Sequence, residues 1–256
     1  MQIYACIKQV PDTASNIRPK VGSFFDEDVK YIANPYDENA LELALRTREL
    51  NPGSEIVAVT VGRDAAANTL RFALAMGADR GILVRTNRYF NDPLTTSRLI
   101  KRAIELDGKP DLILTGKQAV DVEGMQTPYH LAALFDMPVV VNIVAFSMND
   151  GVVTVERELE GDARQIIEMS LPCIVGAAKG LNQPRCPTLP DIMKARRKEI
   201  KVLNDSDLVN GVSVPNVELL ELQTVPERPS CTLLKGSVND MVSSLLGFLT
   251  DKERVL

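Results

Sequence analysis

A single histidine, His130, and four scattered cysteines, Cys6, Cys173, Cys186 and Cys231, are all that the 256 residues offer to a soft metal. With no Cys/His cluster, a structural zinc site is excluded, and a Ser/His or Cys/His catalytic pair would have to use His130 alone. Long apolar runs are missing: segments such as Val139–Val141 fall far short of the ~20 residues that span a bilayer, so no membrane insertion is expected. Basic excess is missing too. Lys and Arg number 29 against 34 Asp and Glu, giving a net charge of −5 and a pI near 5.1, which disfavours a general nucleic-acid binder. Met1-Gln-Ile-Tyr-Ala-Cys6 shows no basic region followed by an apolar one. That argues against a signal peptide and for the cytoplasm. Finally, no GxGxxG follows the first strand signal and no GxxxxGK[ST] occurs anywhere. The usual nicotinamide dehydrogenase and the P-loop ATPase both lose ground.

What is present is an ordinary globular composition, 45% apolar and 25% charged, on a chain long enough for one large domain or two small ones. Short, nearly continuous apolar runs at Ile3–Ile7, Ile56–Val61, Gly81–Val84, Asp111–Leu114 and Val139–Val144 predict strands buried on both faces of a parallel sheet. Helical patterns lie between them. Asp37 and Asp64 are candidate caps of the first two, and Gly77 stops the second. A third helix is expected from about Thr95 to Leu106. Thr127, followed by Pro128, reads as the cap of a fourth. Alternating strands and helices imply an α/β layer, Rossmann-like but lacking the glycine fingerprint. Gly151–Arg157, Gln165–Met169 and Cys173–Ala177 read as a hairpin and one further strand. From Leu181 prolines and charges dominate, and the expected division is a nucleotide-binding domain over 1–180 and an arm over 181–256, ending in a helix near Val238–Leu249. So long a tail with so little core should wrap this domain or a partner subunit.

The most informative stretch runs from Asp111 through a glycine at the end of a buried strand, a polar loop and the start of a helix. The carboxyl end of a parallel strand, facing a helix N-terminus, is where α/β sheets bind ligands, and free N–H groups there suit a phosphate. Gln118, Gln126 and Thr127 could add neutral donors. On physical grounds alone, an ordinary strand–loop–helix connection is as good a reading.

Five segments, in order and at matching spacing, are similar to the β subunit of electron transfer flavoproteins over nearly the whole chain. They are Cys6-Ile-Lys-Gln-Val-Pro-Asp12, Asn34-Pro-Tyr-Asp37, Ala73-Leu-Ala-Met-Gly-Ala-Asp-Arg-Gly81, Gly116-Lys-Gln-Ala-Val-Asp121 with Gln126-Thr127, and Pro184-Arg-Cys-Pro-Thr-Leu-Pro-Asp-Ile-Met-Lys194. The resemblance implies an electron-carrying subunit rather than an enzyme. It implies a heterodimer with an α subunit that holds most of an FAD, docking to flavin dehydrogenases such as those oxidising acyl-CoA, and a downstream redox acceptor. In this subunit it implies AMP, or a second FAD with NADH oxidation in electron-bifurcating members. By similarity the nucleotide site takes in Cys6, Asn34, Pro35, Tyr36, Asp37, Val61 and the loop Gly116, Lys117, Gln118, Ala119, Val120, Asp121, Val122, Glu123, Gly124, Met125, Gln126 and Thr127. Small side chains at Cys6 and Gly116 would let a purine approach the backbone. Tyr36 is a candidate neighbour of the α-bound flavin, or equally a core or interface aromatic. Asp121-Val-Glu-Gly-Met-Gln-Thr-Pro128 matches neither the aspartate-rich pattern of simple carriers nor the Gly-Asp-Thr pattern of the bifurcating branch, so the second nucleotide stays open.

A docking set is expected at Leu189, Pro190, Ile192, Met193, Lys194 and Arg197. Three prolines should keep Leu189 on an extended stretch, as an apolar anchor, and the basic residues could steer an acidic partner. The basic run alone reads equally as a solvated face. A reading from another class, a small nucleotide-binding enzyme or ATP-sensing domain on the same α/β layer, is separated from the carrier by the absent phosphate-grip glycines and the long tail.

Overall fold

The computed structural model describes residues 1–15, 17, 29–88, 90–208, 217, 219–221, 223 and 230–252. Its elements, in chain order, are β1 (Gln2–Cys6), β2 (Gln9–Pro11), β3 (Tyr31–Ala33), α1 (Pro35–Leu50), β4 (Glu55–Gly62), α2 (Ala67–Met76), β5 (Arg80–Arg85), α3 (Pro93–Glu105), β6 (Leu112–Gly116), α4 (Thr127–Phe135), β7 (Val139–Asn149), β8 (Val152–Glu158), β9 (Arg164–Ser170), β10 (Cys173–Ala177), α5 (Leu189–Ala195), β11 (Ile200–Asn204), α6 (Asp205–Leu208) and α7 (Val238–Gly247). Nine strands form one sheet in the order β11-β5-β4-β1-β6-β10-β7-β8-β9. It is parallel from β11 to β7 and antiparallel along the β7-β8-β9 meander. The apolar runs are the central strands because both of their faces are covered. Ile3 and Ala5 pack with Leu41 and Leu45 of α1 and with Leu70 and Leu74 of α2. Tyr4 and Cys6, on the opposite face by the two-residue period of a strand, pack with Leu99 and Ile104 of α3 and with Leu131 of α4.

Helix starts differ from the sequence expectation. Asn34, not Asp37, occupies the cap position of α1, and Asp37 lies buried in its first turn. Asp64 opens a short 3-10 turn before α2 rather than capping it, while Gly77, at φ 136°, does end that helix. Helix α3 starts at Pro93 because the Asp92 carboxylate accepts the Thr95 N–H at 3.0 Å. Thr127 is the first residue of α4 and not its cap. Gln126 holds that position with no side-chain cap bond.

The segment after residue 180 also differs. Leu189 sits on the first turn of a helix rather than on an extended stretch. Thr188 and Asp191 make a reciprocal capping box, and Pro190 falls in the first turn, where its missing N–H costs nothing. Strand β11 then pairs in parallel with β5 as the edge of the sheet. Arg71 fastens this segment by donating to the Ala195 and Lys198 carbonyls, at 2.8 and 2.7 Å. The chain divides into compact units at 1–222 and 223–256. In the second, α7 carries its own capping box, Ser237 with Asp240, and leaves Val238, Val242, Leu245 and Leu246 exposed. Leu249 lies past its end, in a π turn. Among the described residues no helix is long and apolar enough to cross a membrane.

Candidate functional site

Strands β1 and β6 are neighbours whose connections leave in opposite directions. The chain after β1 reaches α1 on one face of the sheet, and the chain after β6 reaches α4 on the other. A crevice opens at such a point, at the carboxyl ends of the strands. Here the opening is visible in the pairing. The β1–β6 register runs only from Ile3↔Leu112 to Ala5↔Leu114. Beyond it β1 stays with β4, the Ile7 N–H donating to the Val59 carbonyl at 2.8 Å. Strand β6 stays with β10 through Gly116↔Ala177, and the Lys117 N–H donates to the Ala177 carbonyl at 2.9 Å.

The first turn of α1 fills the gap from one side. The Asp37 carboxylate is buried there, its Oδ1 accepting the Gly116 N–H and its Oδ2 the Lys8 N–H, each at 2.8 Å. Asn34, fully buried, spends its side chain on the loop: Nδ2 donates to the Gln118 carbonyl at 2.8 Å and Oδ1 accepts the Val120 N–H at 3.2 Å. Lys8 Nζ grips both oxygens of Asp121, at 2.8 and 2.7 Å. The first part of the loop is thus held by side chains from across the crevice. Lys8 was not singled out as a site residue, although it lies within the Cys6–Asp12 motif.

Gly116 is small for a different reason from the one expected. A Cβ there would collide with Asp37 Oδ1 and lie 2.6 Å from Tyr36 Cβ. The close approach of α1 needs the glycine. Tyr36 is half-buried, with Lys117 Nζ 5.3 Å from its ring centroid, within cation–π range. Cys6 is buried, and desolvation followed by the Asp37 charge pushes its thiol up to about 12. It therefore remains a neutral small side chain. Val61 sits near the end of β4, partly buried against the α3 face of the core.

The outer part of the loop is of another kind. Residues 121–126 are exposed, and Glu123 and Met125 take positive φ, 49° and 52°, on either side of Gly124. The Val122 and Glu123 N–H groups turn back onto the Ala119 carbonyl, at 3.4 and 2.8 Å, so the loop's anion donors are those that follow, from Gly124 on. They lead into the N-terminus of α4, which no side chain caps and whose dipole favours negative charge. Lys117 adds positive charge beside Tyr36, while the charge of Lys8 is matched by Asp121. The donor set fits a phosphate through backbone N–H groups, Gln118, Gln126 and Thr127 as neutral donors, and Lys117.

The docking set lies on α5, which packs on α2 through buried Ala195, except for Arg197, which follows the helix end. Leu189, Ile192 and Met193 are exposed, Leu189 at 73%. Pro190, Lys194 and Arg197 are exposed as well.

Residues 21–208 match the model of the electron transfer flavoprotein domain. The chain is 34% identical over 260 residues, covering all of both chains, to the electron transfer flavoprotein subunit beta of Bacillus subtilis. It is 37% identical to the mitochondrial subunit beta of Arabidopsis thaliana, over 96% of this chain and 97% of that one. It is also 35% identical, over 98% and 99%, to a protein of Acetobacterium woodii named caffeyl-CoA reductase-Etf complex subunit CarD. The nine-stranded α/β layer, its open switch point and these full-length likenesses agree: the chain belongs to the electron transfer flavoprotein family, as one of its β subunits, which carry electrons.

Proposed function

We propose that this β subunit holds AMP in the crevice between β1 and β6 and works in a heterodimer whose α subunit holds most of the electron-carrying FAD. The observation that carries the reading is the crevice itself. Two parallel strands part there, and beside them lie an exposed loop over 121–126 and an uncapped helix N-terminus. The adenosine would lie near Cys6 and Val61, and the phosphate near Gln126 and Thr127. Lys117 would partly offset its charge. FAD, when bound, supplies reversible one- and two-electron redox chemistry. This chain's own residues would bind and orient, with Asn34 and Asp37 acting through the loop backbone. No bond of a metabolite is made or broken by them. Electrons would arrive from flavin dehydrogenases and leave to a downstream redox acceptor.

A second reading rests on the 35% identity to the CarD protein: a second FAD in the crevice, with NADH oxidation and electron bifurcation. Counting decides between them. The heterodimer, purified with its α subunit and then denatured, should release one FAD and one AMP. Two FAD would favour the second reading, and no nucleotide beyond the α-bound flavin would overturn the assignment of the crevice.

The exposed apolar face of α5 is proposed as the dehydrogenase dock. Leu189→Ala should weaken docking by about thirtyfold, read as slower reduction of the heterodimer by its dehydrogenase. Flavin content and melting temperature should be unchanged. A lowered melting temperature with lost FAD and no specific transfer defect would instead make Leu189 part of the subunit interface.

A further inference from the structure

We propose that Asp37 is a positioning residue for the nucleotide, its carboxylate setting the width of the β1–β6 crevice without touching the ligand. The proposal rests on the reading of the crevice as an adenine-nucleotide site. Past Ala5 and Leu114 the two strands have no ladder between them. Two backbone N–H groups that a continuing ladder would have paired, those of Lys8 and Gly116, are instead accepted by the two oxygens of one side chain. A carboxylate about 2.2 Å across its oxygens, with hydrogen bonds of 2.8 Å on each side, is a spacer of fixed length. It is also the spacer that the loop inherits. Gly116 begins the loop, and Gln118 and Val120 are held by Asn34 from the same helix turn. The missing Cβ at Gly116 is what admits the carboxylate.

The ionised form is the one that can accept both N–H groups. A protonated carboxyl turns one oxygen into a donor facing a donor. Burial pushes Asp37 up to about 7, against the hydrogen bonds from Lys8, Asn34 and Gly116 and the charge of Lys8. Other titratable groups near it are Cys6 on β1, Lys8 with its partner Asp121, and Tyr36 with Lys117 above its ring. Protonation of Asp37 as the pH falls through neutrality releases one strand end, and the preset loop loosens with it.

The test uses the heterodimer with its α subunit, stripped of AMP, and measures AMP affinity by calorimetry between pH 6 and 8.5. In the wild type, affinity should fall about tenfold across that range on acidification, the loss of one hydrogen bond's worth of ordering. Asp37→Asn presents one acceptor and one donor at every pH. It should bind about tenfold more weakly at pH 8.5 and lose most of the pH dependence. The ionisation of AMP itself is common to both proteins. Wild-type affinity and slope in the variant would overturn the positioning role alone. A wild type that binds no adenine nucleotide would overturn the site reading and the inference together. Should Asp37→Asn fail to assemble, exchange of the Gly116 and Lys8 amide protons in the wild type decides. Both should be protected at pH 8.5, and one of them, the end released on protonation, should lose protection relative to Leu114 below pH 7. Unchanged relative protection would refute the spacer.

Discussion

At the N-terminal ends of the central strands, Arg80 lies between Glu55 and Asp107, with N···O distances of 2.7–3.0 Å to both carboxylates. The buried Tyr4 hydroxyl donates to Asp107 at 2.8 Å, and Gln2 donates to Glu55. At the C-terminal ends of β1 and β6, Asn34 and Asp37 are buried, yet what they hold in the neighbouring segments is backbone. One end closes on itself, with charge meeting charge. The other uses side chains to keep a loop apart from the sheet, and the loop beyond stays exposed. A ligand needs the second arrangement, and the first supplies the rigid base beneath it.

The largest effect should come from breaking the closed end. Arg80→Ala leaves Asp107, whose side chain is 7% exposed, with the Tyr4 hydroxyl but without its guanidinium partner. Stability should fall by about 3 kcal/mol, or roughly 6–12 °C in melting temperature. AMP affinity of the folded heterodimer should be unchanged, because the crevice is about 13 Å away along β1. A lost nucleotide with an intact melting temperature would reverse the roles assigned to the two ends.

Gly116→Ala attacks the open end. Its Cβ has nowhere to go beside Asp37 and Tyr36, so α1 must back off from β6 at a cost of about 1–3 kcal/mol, with loss of AMP. Gly124→Ala, in the outer loop, meets nothing within 4 Å and should leave stability unchanged. Equal effects from the two alanines would mean that the loop is not held from its first residue.

The ends should also answer pH in opposite directions. Burial pushes Asp107 up, but the hydrogen bonds from Arg80 and Tyr4 outweigh it and hold the carboxyl below its usual range. Its contribution is present above the unfolded value near 4 and is lost as the pH falls through the lower folded value. Asp37, pushed up to about 7 by burial, keeps its proton in the fold between about 4 and 7. Its contribution is fullest at low pH and drops as the pH rises through that window. The same ionisation that builds the crevice thus costs stability. Urea midpoints between pH 4.5 and 8 should decline less steeply in Asp37→Asn than in the wild type. An identical slope would remove Asp37 from the account.

The order of strands and helices was legible because buried parallel strands leave continuous apolar runs and their helices leave a 3.6-residue stripe. Strands β2 and β3 were not, being three residues each, one of them ending in Pro11. Helix α5 was missed because Pro187 and Pro190 read as extended chain, whereas proline at the first turn is compatible with a helix. Strand β11 was missed because an edge strand such as Ile200-Lys-Val-Leu-Asn204 has no buried apolar run to show. The motifs named the crevice residues. They could not tell that Asn34 and Asp37 face the loop, since those bonds join positions 79 to 86 residues apart. Local periodicity carries nothing about partners at that distance.

The smallest effect should come from the Lys8–Asp121 ion pair at the open end, and it sharpens the contrast because the pair is wet. Lys8 and Asp121 meet at 2.7 Å with side chains 42% and 18% exposed, where screening and side-chain entropy leave at most about 1 kcal/mol. Asp121→Asn should therefore lower the melting temperature by no more than about 2–4 °C. The difference from wild type should vanish in 1 M salt, where the screening length is about 3 Å. The Arg80→Ala deficit should persist in the same salt, because Asp107 is shielded from it. AMP affinity should rise slightly at low salt, because a carboxylate is gone and Lys8 is freed to face the phosphate, and that gain should vanish at high salt. An Asp121→Asn protein as unstable as Arg80→Ala, or one whose deficit ignores salt, would show that the crevice is held by charge after all. The backbone bonds of Asn34 and Asp37 would then be secondary.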